Sequence, residues 1–452
     1  MFNKVIVANR GAVAARVLRA LREQGIRSVA VYSEADARLP YLAQADETFC
    51  IGAAEARQSY LNQDAILRAM RACGADGLHP GYGFLAENAE FARKVNASGA
   101  RFIGPSPEWI DAMGHKTRAR ELMARHGLRM APSSGLLDGD EAAALKAAHE
   151  IGYPVLVKPA AGGGGIGMLA ARDPDELRSA IERAASLSLR SFGSAEVYLE
   201  RLMHKPRHIE FQVLADRHGN VRHLFERDCS IQRRHQKVIE ESPAPLLPRG
   251  LVNTAADEIV EVLRKLSYDV IGTVETLHGD GAGFQFLETN TRLQVEHAVT
   301  EEITGIDLVK AQIRLASGER LNTVLPEEIA VDGHAIEARI YAEDPVRFLP
   351  SPGILKTLRF PSGTGIRIET GFEEGATVTP YYDPLIAKII VHAAHRQAAI
   401  DRLIEAIDGT VIEGVKHNLP FVRRVLQNEA FRRGDVHTGL ATEILATASQ
   451  KA

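Results

Sequence analysis

"FLETNTRLQVEH", Phe286 to His297, places Glu288, Asn290, Arg292, Gln294 and Glu296 at every second position. On an extended strand all five side chains share one face. An exposed amphipathic edge strand with solvated charges has the same pattern. Two features favour chemistry instead. The segment grows out of the apolar run "FQFL", so it leaves a core strand. Its donors also suit a reaction. Two hard oxygen donors two residues apart suit Mg²⁺, which takes one or two carboxylates and keeps other positions for phosphate oxygens and water. Arg292 offers a planar fork to an anion, and Glu296 offers a base. A straight strand would hold Glu288 and Glu296 roughly 26 Å apart at the usual rise per residue. The chain is therefore expected to bend after Asn290.

A second cluster, "ERDCSIQRRHQKVIEESPAP" (Glu226 to Pro245), is densely basic and then acidic. Charge runs are usually solvated loops. Here Gln232, His235 and Lys237 would add amide, imidazole and ammonium donors for an anionic ligand. Cys229 reads as a small packed residue, because no His or Asp arrangement marks it as a nucleophile.

"VLVKPAAGGGGIGM" (Val155 to Met168) is the one compositional oddity. It fails the phosphate-loop pattern GxxxxGK[ST], since Met168 and Leu169 follow Gly167. Gly162, Gly164 and Gly167 match GxGxxG by letter, but that fingerprint must open a helix. Met168 to Ala171 is short and apolar, and the next helix waits for the Asp173 cap and Pro174. The glycines therefore join two strands. They read either as a slack hairpin tip or as a flap whose bare N–H groups close over phosphates, with Lys158 beside them.

Outward from these clusters the pattern is α/β. "KVIVANRG", "AVAARVLRALREQG" and "SVAVYS" alternate strand, helix and strand, as in a parallel Rossmann-like sheet. Later strands ("HIEFQVLAD", "VRHLFERD", "AIEARIYAED", "LIAKIIVHA") alternate with helices. The expected units are 1–114 (Rossmann-like), 115–333 (central, with a small α+β lid at about 131–203) and 334–446 (C-terminal α+β). A chain of 452 residues with 45% hydrophobic content suits several such units. A net charge of −4 favours neither nucleic acid nor a membrane surface as partner. Three scattered cysteines and a first strand that is no signal peptide fit a reducing, cytoplasmic setting.

Taken together, "IVANRGAVAARVLRALREQG", "HPGYGFLAENAEFA", "FIGPS", "KPAAGGGGIGM", "ERDCSIQRRHQK", "ETNTRLQVEHAVTEEITGIDLV" and "HAIEARIYAEDP" resemble biotin carboxylase, of the ATP-grasp superfamily. The resemblance runs in order from Lys4 to about Leu440. It implies an ATP-grasp fold and a chemistry: MgATP phosphorylates bicarbonate, and the carboxyphosphate formed carboxylates biotin held on a carrier protein. It implies that Lys116 and Lys158 hold ATP phosphates and that Gly164 and Gly165 lie in the lid loop that binds ATP. Glu200, Arg201, Leu202 and Met203 would form the adenine hinge, with His208, Gln232 and His235 as further ATP contacts. Glu275, Glu288 and Asn290 would ligate Mg²⁺ or Mn²⁺. Lys237, Arg292, Gln294 and Val295 would bind bicarbonate, with Glu296 as its base. Arg339 would stabilise the biotin enolate, and Tyr82 lies where the biotin pocket is expected.

Ile166 and Leu169 depart from the resemblance, standing where basic residues are common in the lid. "GGGGIGM" and "NRGA" lean toward the urea-carboxylase branch, whereas "QRRHQK" fits the family at large. None of the seven methionines is followed by lysine, so the carrier's "AMKM" hairpin is absent. The carrier and the carboxyltransferase are therefore expected elsewhere, and the chain itself is expected to form a homodimer.

Overall fold

The computed structural model describes residues 1–161, 167–279, 281 and 283–449. The first strand, Lys4–Val7, sits at the centre of a five-stranded parallel sheet. Arg27–Ser33 and Glu47–Gly52 lie to one side, Gly77–His79 and Arg101–Phe102 to the other. Val5, Ile6 and Val7 are fully buried, as a parallel strand covered on both faces requires. Helix Gly11–Glu23 follows, its Val17, Leu18 and Leu21 facing the core. This is the expected Rossmann-like opening.

A small lobe carries the glycine run. Strands Ser133–Leu136, Val197–Arg201, Val155–Pro159 and Leu169–Ala171 form a four-stranded sheet in that spatial order. Val155–Pro159 pairs antiparallel with Leu169–Ala171, Val157 opposite Leu169. The glycines thus connect two strands of a hairpin and open no helix. Gly164, Gly165 and Ile166 lie outside the described residues. Helix Pro174–Phe192 starts where the cap was read: the Asp173 carboxylate accepts from Glu176 N–H at 2.9 Å. Ala148, Val155, Val157, Leu177, Ala184 and Leu199 give the lobe its own core. Helix Lys116–Arg125 does not join it; Met123 packs with Ile209 and Phe211 of the large sheet.

That large sheet has eight antiparallel strands. Their order is Phe284–Asn290, Val270–His278, Arg207–Ala215, Val221–Arg233, Gln236–Ser242, His334–Tyr341, Leu385–Ala393 and Ile366–Thr370. It runs unbroken past residue 333: Ile239 pairs with Ala338 and Glu240 with Glu337. The amphipathic helices Arg396–Asp408 and Leu419–Gln427 belong to the C-terminal part. No helix among the described residues is long and apolar enough to cross a membrane.

The N-terminal unit meets the C-terminal part at a contact only glycine permits. A Cβ on Gly371 would stand 2.2 Å from the Gly11 carbonyl carbon and 2.3 Å from its Cα. Beside this contact, Arg10 is buried on Asp36 at 2.6 Å and lies 4.4 Å over the Tyr382 ring. Gly371→Ala should therefore cost about 1–3 kcal/mol by overpacking and lower the thermal midpoint. Gly250, in helix Arg249–Lys265, has nothing within 4 Å of a built Cβ. Gly250→Ala should leave the midpoint unchanged or raise it, since alanine is the better helix former. Equal midpoints for the two variants in a melting curve would contradict the close-contact account.

Candidate active site

Strand register assembles the site. Glu275 pairs with Glu288 on one neighbour and with Glu210 on the other, and Glu210 pairs in turn with Arg227. Directly paired residues project to the same face, so three carboxylates and a guanidinium form a row across four strands. Ile209, Phe211, Val213 and Val274 take the opposite face and pack in the core. Lys237, paired with Gln232 on the next strand, reaches back over this row. Its Nζ donates to Glu210 Oε2 at 2.6 Å, Glu275 Oε1 at 2.8 Å and Glu296 Oε1 at 2.7 Å.

The catalytic-looking stretch bends as its length required. The strand stops at Asn290, and Glu296 sits at the N-terminus of helix His297–Thr304. The bend brings Glu296, fully buried, under Lys237 and within 3.0 Å of Arg339 Nη2 through its other oxygen. Arg339 is held from behind by Glu240 at 2.5 Å. Asn290 donates to Glu275 Oε1 at 2.9 Å and accepts from Arg292 at 3.1 Å. Arg292 also donates to Gln294 Oε1 at 3.0 Å. Gln294 Nε2 is buried with no partner among the described residues. Thus Glu275, Glu288, Asn290, Arg292, Gln294, Glu296, Lys237 and Arg339 belong to one connected wall.

Electrostatics set the protonation states. Burial alone would lower the Lys237 pKa, but Glu210, Glu275 and Glu296 together raise it well above the usual lysine value. Burial alone would raise that of Glu296, but Lys237, Arg339 and Arg227 hold it well below the carboxylate range. Glu275 is likewise held low against burial, by Lys237 and His208. Lys237, Glu275 and Glu296 are therefore ionised at ordinary pH. Cys229 lies 3.8 Å from Glu296 Oε1, and burial with nearby Glu210 keeps it a thiol. It is packed, as read from the sequence.

The expected nucleotide contacts divide into two groups. Lys116 Nζ lies 2.5 Å from Glu288 Oε2, joining the wall. Lys158 is buried and turned to Glu200 at 3.1 Å, with Arg120 on the other Glu200 oxygen at 2.9 Å. The Glu200 carboxylate is therefore committed to internal pairs. In the hinge, Arg201 N–H donates to Pro132 O and Leu202 N–H to Pro154 O. The Met203 N–H has no acceptor among the described residues. His208 bridges the groups, with Nε2 3.1 Å from Glu275 and Nδ1 3.0 Å from Gln232 Nε2. The Gln232 amide must donate here, so Nδ1 is the acceptor and Nε2 carries the proton. His235 is exposed on the two-residue turn after Arg233, where Arg234 and His235 have φ of 49° and 66°. Such turns favour Asn and Gly, so two larger residues here mark a strained rim. Tyr82 is half-buried, and its carbonyl accepts from Asn9 at 2.8 Å. Burial raises its phenol, with Glu369 and Glu337 adding and Arg339 opposing.

Three participants escaped the sequence reading. Glu210 is fully buried beneath Lys237. Arg227, also fully buried, compensates it at 2.5 Å and donates to Gln212 and Thr300, each at 2.9 Å. Glu87 holds Arg292 Nε at 2.7 Å. Period-two alternation in "HIEFQVL" could have flagged Glu210, since its face carries His208 and Gln212 while the other is apolar. Nothing local flags Glu87, which lies 205 residues from its partner.

Comparison with known proteins agrees with this geometry. Residues 1–110 match the family described as biotin carboxylase, N-terminal domain. Residues 115–324 match the carbamoyl-phosphate synthase L chain, ATP binding domain. Residues 337–443 match the biotin carboxylase C-terminal domain. The chain is 48% identical over 445 residues to the biotin carboxylase of Halalkalibacterium halodurans, covering 98% of each. It is 48% identical to a pyruvate carboxylase subunit from Methanothermobacter thermautotrophicus, covering 98% of this chain and 90% of the relative. Among solved structures, the biotin carboxylase domain of Hydrogenobacter thermophilus 2-oxoglutarate carboxylase superposes with a TM-score of 0.95 at 43% identity, covering 98% and 99% of the two chains. The leaning toward the urea-carboxylase branch finds no support among these relatives. The chain belongs to the biotin carboxylase family, built on the ATP-grasp fold.

Proposed function

We propose that the chain carboxylates biotin on a carrier protein, consuming ATP and bicarbonate through carboxyphosphate. The observation that carries this reading is Glu296 suspended between Lys237 and Arg339 beside the Glu210–Glu275–Glu288 row. A carboxylate–amine ligase needs the acids and lysines that hold ATP. It does not need a buried base flanked by Arg292, Gln294 and Arg339.

The step balances as follows. Glu296 takes the bicarbonate proton, an oxygen of the resulting carbonate attacks the γ-phosphorus of ATP, and ADP departs, leaving carboxyphosphate. A carboxylate held below the usual range is a weak base. Bicarbonate entering as an anion would draw Lys237 and Arg292 onto itself. The Lys237 hold on Glu296 would loosen, and its basicity would rise when the proton must move. Arg339, on the Glu296 oxygen opposite Lys237, is assigned to stabilise the biotin enolate, and Tyr82 is assigned to the biotin pocket. Lys116, Lys158, His208, Gln232, His235 and the hinge Glu200–Met203 are assigned to ATP, as are Gly164 and Gly165. Val295 and Gln294 are assigned to bicarbonate.

Glu275, Glu288 and Asn290 fit Mg²⁺ or Mn²⁺: three hard oxygen donors, paired across two strands. In this structure Lys116 and Lys237 provide their positive counterparts, and His208 turns its Nε2 proton to Glu275. When bound, the metal would neutralise charge on the phosphate oxygens. In support, the Hydrogenobacter thermophilus domain was solved as a dimer with MgADP, ADP and bicarbonate, and a Campylobacter jejuni biotin carboxylase (41% identical, TM-score 0.95) as a β-γ-ATP complex. We extend the dimer to this chain, with the biotin carrier and carboxyltransferase as separate partners. Three free cysteines, one of them the exposed Cys50, suit a cytoplasmic setting.

The test is ATP hydrolysis by the purified chain with and without bicarbonate and free biotin. Hydrolysis that requires bicarbonate and rises with biotin is expected; hydrolysis indifferent to bicarbonate would contradict the reading. Glu296→Ala should keep nucleotide affinity within a few-fold while turnover falls by roughly 10²–10⁴, the usual range for losing a general base. Loss of ATP binding in a folded Glu296→Ala protein would mean that Glu296 serves the nucleotide instead. Because Glu296 and Glu275 are held well below the usual range, neither should set an acid limb near neutral pH. A limb near neutrality that disappears in Glu296→Gln would overturn that assignment.

A further inference from the structure

In the turn carrying Gln294, Val295 and Glu296, the first two carbonyls are each held by a buried side chain. The Gln294 carbonyl accepts from His297 Nδ1 at 2.7 Å. The Val295 carbonyl accepts from Lys388 Nζ. Both partners are fully buried. Burial first, then Lys388, pushes the His297 pKa down to about 3, so the ring is neutral and donates through Nδ1. Lys388 comes from strand Leu385–Ala393, two strands beyond Lys237, and is held by Glu369 at 3.0 Å and Glu337 at 3.2 Å. Its carboxylate partners leave it charged: burial lowers its pKa, but Glu337 and Glu369 raise it to a net increase.

A planar trans peptide points each N–H opposite the preceding carbonyl. Pinning the Gln294 carbonyl on His297 therefore directs the Val295 N–H away from the interior. Pinning the Val295 carbonyl on Lys388 does the same to the Glu296 N–H. Neither N–H has an acceptor among the described residues, and neither does the buried Gln294 Nε2. Three donors from consecutive residues are left for one small anion, at the head of helix His297–Thr304.

We infer that Lys388 is a positioning residue for the anion site: by gripping the Val295 carbonyl it fixes the peptide whose N–H faces bicarbonate. This rests on the function proposed above. Lys388 touches neither substrate nor the Glu296 side chain. It fixes one peptide orientation before substrate arrives, and a charged donor on the carbonyl polarises the N–H at the other end of the same peptide. A turn free to flip would present the carbonyl oxygen instead, and an anion would be repelled.

The test compares Lys388→Met with the double variant Lys388→Met/Glu337→Gln, which restores the local charge balance, in bicarbonate-dependent ATP hydrolysis. Melting curves establish that each protein is folded. Both variants should raise the KM for bicarbonate at least about tenfold, the loss of one charge-assisted orientation, with the KM for ATP within about twofold. If Lys388→Met does not fold, the double variant carries the same measurement. An unchanged bicarbonate KM, an equal rise for ATP, or full recovery in the double variant would overturn the inference, the last by showing that net charge alone matters. Wild-type hydrolysis indifferent to bicarbonate would instead remove the functional reading on which it stands.

Discussion

The structure turns on one ammonium group shared by three carboxylates. Lys237 lies within 2.8 Å of Glu210, Glu275 and Glu296, each of them buried. Desolvating four charges is costly, and such a cluster survives only if every member has compensation. Here each carboxylate has a second partner from a different element: Arg227 for Glu210, His208 and Asn290 for Glu275, Arg339 for Glu296. A register slip of one residue in any contributing strand would turn a charge into the apolar core. The cluster and the sheet therefore specify each other.

The same logic explains why the chain is knitted across its length. The eight-stranded sheet carries Lys237 and Arg339 on adjacent strands that lie about a hundred residues apart in sequence, and Glu296 bridges them. Arg16 of the N-terminal unit reaches Glu301 at 3.0 Å and Asp307 at 2.6 Å, just beyond the turn that carries Glu296. Lys388 enters that turn from the C-terminal part. A single turn of chain, Gln294 to His297, is thus fixed from the C-terminal part as well as from within. That is what preorganisation of an anion site demands.

Much of this was legible because the informative residues are close in sequence. "FLETNTRLQVEH" announced its chemistry by alternation, and the distance argument required the bend that the strand end at Asn290 supplies. The glycine run was separable from a dinucleotide loop by its neighbours alone: Val155–Pro159 and Leu169–Ala171 pair as a hairpin. Glu210 was legible only as one polar residue in the alternation of "HIEFQVL"; Glu87, Arg227 and Lys388 were not legible, and for one reason. Each acts through a partner on another element, with separations such as 205 residues for Glu87–Arg292 and 93 for Lys388–Val295. Their roles exist only once register and docking are set. Glu200, which the resemblance assigns to a nucleotide hinge, has its carboxylate paired with Lys158 and Arg120, a detail set by packing.

In the proposed reaction Glu296 makes bicarbonate, and not water, the nucleophile toward the γ-phosphorus. Oxygen labelling measures this directly. With ¹⁸O-labelled bicarbonate, ATP and carrier-linked or free biotin, the account predicts one labelled oxygen in each phosphate released, because the bond from bicarbonate oxygen to phosphorus persists when carboxyphosphate gives up its carboxyl group. Unlabelled phosphate, with solvent as its oxygen source, would contradict it.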